Sequence, residues 1–328
     1  MPDLYPLLLK PTFATRPWGA KNLSPIYPQF PGAPGELIGE AWLSGDDCTV
    51  ANGPLAGKKL GELVHEYGRA LIGETAPQPD HFPLLMKFLF PKEKLSVQVH
   101  PDDEGAKKLG QPCGKTECWY VLASEPGATI GLGLKPGTTH AEFERAIKEV
   151  RAEHLLNWIP VKPGEMYYVD AGTVHAIGPG VILVETQQNS DTTFRLYDYG
   201  RPREIHVQQG LAAMREQTHA GKVLDAKSPV LVSSSCFVVE KHAAKGSQVF
   251  ELGTQPAAQC LVAIAGCGII ECPGKDPVTF ACGESVVVPA GVKATVRPQW
   301  EVEFIRAMVP AGQVKLSKTQ LVSESTIV

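Results

Sequence analysis

The sequence predicts a mainly β chain: two jelly-roll-like β-barrels with a few peripheral helices. Three observations predict this. The 328 residues include 32 glycines and 28 prolines, so apolar segments come as short runs punctuated by turns rather than as alternating strands and long helices. Strand-like segments dominate two separate blocks, the second over residues 230–309. One motif also occurs twice, once in each block. We place the first unit at residues 1–225, with helical segments, and the second at 226–328.

Along the chain, residues 36–44 and 48–53 read as strands around a turn. Residues 59–72 carry Leu60, Leu63, Val64, Tyr67 and Leu71 near helical spacing, as one helix stopped by Gly73. The apolar run at 82–89 precedes residues 95–100, where apolar and polar side chains alternate as in a strand. Residues 141–156 read as one or two helices, and 166–169 and 181–185 as buried strands. Residues 317–328 carry no strong signal and are expected to fray.

The repeat aligns Lys162-Pro163-Gly164-Glu165 with Ala281-Cys282-Gly283-Glu284 and runs on to His175 and Ala294. Each copy has a glycine, a strand, Asp170 or Pro289, a second glycine, and a residue delivered inward after a tight turn. The pattern resembles the second motif of the cupin fold, and two copies imply two barrels.

Net charge is −4, which argues against a nucleic-acid or anionic-membrane footprint. The N-terminus lacks a basic segment followed by an apolar core, and no apolar run approaches the roughly 18 residues of a membrane span. The expectation is a cytoplasmic protein with no membrane and no nucleic acid among its partners. The eight cysteines form no CxxC and read as buried free thiols.

The chemistry begins at residues 95–100. Alternation puts Ser96, Gln98 and His100 on one face. Polar groups on an apolar strand face either water or a site, because burying them unpaired costs free energy. In Gly114-Lys115-Thr116-Glu117-Cys118-Trp119-Tyr120, a strand would place Lys115, Glu117 and Trp119 together. With His175 after the repeat's turn, Gln98, His100 and Glu117 complete an amide, two imidazoles and a carboxylate. That set suits catalytic zinc and equally non-haem Fe(II).

Several stretches together resemble the short bacterial branch of type I mannose-6-phosphate isomerases. They are Ser96-Val97-Gln98-Val99-His100-Pro101, Gly114-Lys115-Thr116-Glu117, Ala171-Gly172-Thr173-Val174-His175, and the stretch from Glu185 through Arg195 to Tyr199. Pro17-Trp18-Gly19 and Gly39-Glu40-Ala41-Trp42 fit as well. The resemblance implies cupin barrels, the first catalytic; the second reads as degenerate from its own residues, with Ala294 at the position matching His175. The resemblance also implies a sugar-phosphate substrate and one Zn2+ per chain, held by Gln98, His100, Glu117 and His175, with Arg195 as the active-site arginine. Longer relatives carry Asn-His-Lys-Pro-Glu where this chain has Gly114-Lys115-Thr116-Glu117.

The reaction implied interconverts mannose 6-phosphate and fructose 6-phosphate by moving a proton between C1 and C2 through an enediolate. It needs a base, an electrophile and a phosphate anchor. Arg195 offers a planar fork. Ser96 and Arg201 are candidate phosphate partners. Lys115, two residues from a ligand, and Glu185, at the end of an apolar strand, are candidate proton carriers beside a zinc-bound water. A metal-dependent cupin oxygenase and a non-enzymatic sugar-binding cupin are the alternatives.

Overall fold

The computed structural model describes residues 3–30, 32–33, 35–224, 229–312 and the backbone of 321–322. Three antiparallel sheets dominate it, and the two barrels are built from them. The first barrel opposes a smaller and a larger sheet. In the smaller, the strands run in the order Phe194–Tyr197, Val97–Val99, His175–Ile177, Thr129–Leu134, Leu156–Pro160. The larger contains Ile38–Trp42, Leu84–Leu89, Val181–Gln188, Glu117–Ser124 and Met166–Val169 in that order, between Thr12–Ala20 and Gly221–Val223, with Leu321–Val322 outermost. Trp18, Leu89, Trp119 and Leu183 meet Ile130, Leu132, Ile159 and Ile177 between the two sheets.

Both faces of the larger sheet are covered, which explains its unbroken apolar strands. All six residues of Leu84–Leu89 are buried. Met86, Phe88, Tyr120 and Val184 pack outward against Val262, Val287, Ile305 and Ala307 of the third sheet. That sheet curls round its own core of Leu261, Ala263, Val286, Phe280 and Phe304, which is the second barrel. Its members include the first strand of the chain, Leu7–Lys10, paired with Ser285–Val288. The boundary between residues 225 and 226 lies outside the described residues.

The repeat is a structural repeat. Gly164 and Gly283 have φ of 90° and 92°, and Gly172 and Gly291 have φ of 89° and 74°, conformations open to glycine and strained for other residues. In each first turn the glutamate side chain accepts a backbone N–H three residues back, Glu165 from Lys162 and Glu284 from Ala281, both at 2.8 Å.

Helices cover the edges. The outer face of the smaller sheet, with Val97, Val99 and Leu196, is covered by Phe143 and Ile147 of His140–Lys148 and by Leu211 of Val207–Ala213. The segment 141–156 resolves into that first helix, whose Thr139 cap accepts from the Glu142 N–H at 3.2 Å, and a 3-10 turn, Ala152–Leu155. Residues 59–72 form two helices, Leu60–Tyr67 and Arg69–Ile72, rather than one, because Gly68 adopts φ 49°, ψ −130°. Of residues 317–328, all but the two of Leu321–Val322 lie outside the described residues; those two pair with Gly221–Val223. All eight cysteines are free; Cys48, Cys113, Cys118 and Cys260 are buried as expected, whereas Cys236, Cys267, Cys272 and Cys282 are only partly buried. No helix among the described residues is long and apolar enough to cross a membrane.

Candidate metal centre

Strand pairing assembles the site. Gln98 stands opposite His175 on one side and Arg195 on the other. Opposed residues of antiparallel strands share a face, so Arg195, Gln98 and His175 form one row. Glu117 opens a strand of the facing sheet, and His100 follows Val97–Val99. The metal-binding atoms of His100, Glu117 and His175 all lie within 4.8 Å of one another. The three residues are exposed by only 2, 1 and 1%.

Hydrogen bonds orient the imidazoles. His100 Nδ1 lies 2.9 Å from the Thr192 carbonyl and His175 Nδ1 2.9 Å from the Thr173 carbonyl. A carbonyl only accepts, so each Nδ1 carries the proton and each Nε2 presents a lone pair. His100 Nε2 is 3.6 Å from Glu117 Oε2, and His175 Nε2 is 3.4 Å from Glu117 Oε1. Burial keeps both imidazoles neutral, pulling His175 down to about 4 and His100 well below its ordinary value, the latter helped by the Lys115 charge. Burial, and then the Glu185 charge, push the Glu117 carboxyl up. His100 Nε2 and both Glu117 oxygens are buried without a hydrogen-bond partner. Acceptors facing acceptors in a dry site are costly unless a cation lies between them. Two imidazole nitrogens and a carboxylate suit a divalent transition metal.

The other residues named from the sequence fall round this group. Ser96 donates to Gln98 Oε1 at 2.9 Å, and Gln98 Nε2 lies 3.2 Å from His175 Nε2. Lys115 is buried, its Nζ 3.8 Å from Glu117 Oε2. Glu185 is buried opposite Trp119, whose Nε1 donates to Oε2 at 3.1 Å. Glu185 Oε1 is 2.9 Å from Lys87 Nζ.

Lys87 escaped the sequence reading, although a lone charge inside the apolar run 82–89 was its signal. Burial works against its charge, but Glu185 and then Glu40 outweigh burial and raise its pKa. Glu40 is forked by Arg16 at 3.1 and 2.9 Å and accepts from Trp42 Nε1 at 2.7 Å. Burial would raise Glu40, yet Lys87 and then Arg16 hold it at about 2.

Arg195 is half-buried, and its Nε is buried without a partner. Burial, and then the Arg203 charge, hold it below the ordinary arginine value. Arg201 is committed elsewhere, to Asp198 at 3.0 Å, Glu93 at 3.2 Å and the Lys94 carbonyl at 2.7 Å. Arg203 forks both oxygens of the same Asp198 at 2.7 Å. Of the neighbouring arginines, Arg203 and then Arg16 act on Arg195 by their charge.

The sequence model of the phosphomannose isomerase type I catalytic domain matches residues 7–127. The mannose-6-phosphate isomerase ManA of Bacillus subtilis is 36% identical over 306 residues, covering 88% of this chain and 94% of its own. The chain belongs to the type I phosphomannose isomerase family. The mannose-6-phosphate isomerase of Streptococcus mutans matches equally, 36% over 306 residues with 88% and 94% covered. The crystal structure of the Bacillus subtilis mannose 6-phosphate isomerase superposes with a TM-score of 0.80 at 31% identity, covering 93% of this chain and all of that one. A zinc-bound mannose 6-phosphate isomerase shares the fold, with a TM-score of 0.73 at 15% identity over 93% of this chain and all of that one. The mainly β cupin architecture and the isomerase family implied by the sequence motifs therefore hold, and neither alternative activity is favoured.

Proposed function

We propose that this chain interconverts mannose 6-phosphate and fructose 6-phosphate at a single-zinc centre, one Zn2+ per chain, held by His100, Glu117, His175 and the Gln98 amide. One observation carries the reading: His100 Nε2 and both Glu117 oxygens converge, buried and without a hydrogen-bond partner. When bound, zinc supplies a Lewis acid that polarises the sugar's carbonyl region.

The chain's own residues supply the rest. Arg195 offers a guanidinium whose buried Nε is free for a substrate oxygen, and Arg203 adds positive potential beside it. The unpartnered Arg195 Nε favours a phosphorylated substrate. Lys115 stands at the metal ligands and is our choice to move the proton between C1 and C2. Glu185 already answers Lys87 and Trp119; it holds that wall of the site charged and rigid. Ser96 holds Gln98 Oε1 while Nε2 faces His175; turning the amide over presents its oxygen to the metal, and the Ser96 hydroxyl then accepts from Nε2. The walls are buried, which keeps water from competing for the enediolate.

Metal analysis joined to a coupled assay for fructose 6-phosphate tests this. The expected result is about one zinc per chain, a stoichiometry that one complete ligand group sets, with activity lost on chelation and restored by zinc. Full turnover in exhaustively chelated protein, or comparable efficiency on free mannose, would sink it.

A further inference from the structure

Gln187 lies one strand position from the site and is fully buried at 0% exposure. It pairs directly with Glu117 across the sheet, so both side chains start from the same face. Its amide is used asymmetrically. Nε2 donates to the Gln188 carbonyl at 2.9 Å and to the Ser190 carbonyl at 2.6 Å. Oε1 is buried and has no partner. A methionine would fill this space without burying an unpaired oxygen, so the donor end is what the position uses.

What the donor end builds leads to the metal centre. The Ser190 N–H bonds back to the Gln188 carbonyl at 2.7 Å. Ser190 Oγ accepts from the Thr192 N–H at 3.3 Å. The Thr192 carbonyl in turn receives His100 Nδ1 at 2.9 Å. These bonds make one chain of contacts: Gln187 amide, Ser190, Thr192, His100. The Thr192 carbonyl is the group that keeps the His100 proton on Nδ1 and its Nε2 lone pair turned towards Glu117.

We propose that Gln187 is a positioning residue for the metal centre, clamping the turn at residues 188–192 so that the Thr192 carbonyl fixes the tautomer and orientation of His100. This rests on the reading of His100 as a metal ligand. The neighbours of the turn do not replace the clamp. Gln188 is tied to Thr116 and Asp103, and Asn189 to Phe82 and Asp46. Those ties hold the turn's first half, whereas the Ser190 carbonyl is held by Gln187.

The test compares wild type and Gln187→Met at pH 7.5. Two quantities are read: the zinc dissociation constant, by competition with a chromophoric chelator, and the His100 tautomer in metal-free protein, by long-range proton–nitrogen NMR. Zinc binding should weaken by about tenfold or more, the usual effect of losing such an outer contact. His100 should shift from a single Nδ1–H tautomer to a mixture. Unchanged zinc affinity and an unchanged tautomer in the folded variant, with only the melting temperature lowered, would overturn the proposal. If Gln187→Met does not fold, Ser190→Ala cuts the next link: an unaltered tautomer and affinity there overturns the clamp, and a partial shift in both supports it. The two readings fail separately. Wild type that takes up no zinc defeats the metal assignment, while the metal-free tautomer comparison still decides the clamp.

Discussion

Lys87 and Glu185 are each about 5% exposed and 2.9 Å apart, so each charge is tolerated because the other is there. Removing one partner of a buried pair costs roughly 3–5 kcal/mol. Lys87→Met should therefore lower the unfolding free energy by roughly 3 kcal/mol in urea titrations; a change below about 0.5 kcal/mol, as at ordinary surface sites, would mean the pair is solvated. Glu40 gives a pH signature. Its folded carboxyl sits at about 2 against an ordinary 4.5, so between those values the unfolded chain binds the extra proton. Its stabilisation is complete above the ordinary value and is lost as pH falls through that window. The difference in stability between wild type and Glu40→Gln should shrink by roughly 3 kcal/mol as pH drops through it, at about 1.36 kcal/mol per pH unit. A pH-independent difference would show that Glu40 is not held by Lys87 and Arg16. The converging group of His100, Glu117 and His175 was legible because each sits in a short, marked segment. Lys87 and Glu40 were not, because what gives them meaning is a cross-strand partner remote in sequence.

Among elements, the alternation of residues 95–100 correctly put Ser96 and Gln98 side by side, since a period of two survives any tertiary context. Helical spacing in 59–72 left the break at Gly68 invisible, because two short helices in succession present nearly the same apolar positions as one. The strand beginning at Glu117 depends on what precedes it. A Cβ on Gly114 would lie 2.5 Å from the Asp102 carbonyl carbon and 2.7 Å from the Asp103 nitrogen. These are backbone atoms, so the clash moves the chain rather than a side-chain tip. Gly114 N–H also donates to Asp103 Oδ1 at 2.8 Å. Gly114→Ala should displace Lys115 and Glu117 together, cutting turnover by about tenfold or more, as small misplacements of catalytic groups do, and weakening zinc binding in parallel. Gly110→Ala is the control: unlike Gly114 it has a positive φ, of 71°, and open space around it. Its expected effect is a modest loss of stability, about 1 kcal/mol of backbone strain, with normal activity. Equal loss of activity in both variants would refute the argument from close approach.

Across the whole molecule, two barrels were legible from the repeated motif, but the placement of Leu7–Lys10 in the second barrel's sheet was not, since its partner strand lies near the other end of the chain. The repeat also relates the two interiors position by position. Val169 pairs with Glu117 where Val288 pairs with Gln259, so Gln259 stands in the place of Glu117. His175 faces Gln98 where Ala294 faces Gly253. The ion pair recurs with its signs exchanged, its acid now only partly buried: Glu185 lies between Trp119 and Lys87, and Arg306 between Leu261 and Glu240. Arg306 donates to Glu240 at 2.7 Å and to Gln259 Oε1 at 3.1 Å. Where the first barrel converges acceptors, the second fills the same space with a donor and its partners. An amide, an alanine and a glycine stand where the first barrel has Glu117, His175 and Gln98, and among the described residues no metal-binding group forms there; we propose that the second barrel's contribution is mechanical. Glu240→Leu should strip Arg306 of its counter-charge and cost roughly 3 kcal/mol, read as a lower urea midpoint. Zinc per folded chain and turnover per zinc should stay at wild-type values, because none of the proposed ligands comes from that barrel. A folded variant that loses zinc would mean that the second barrel shapes the metal centre, and the division of labour would fall.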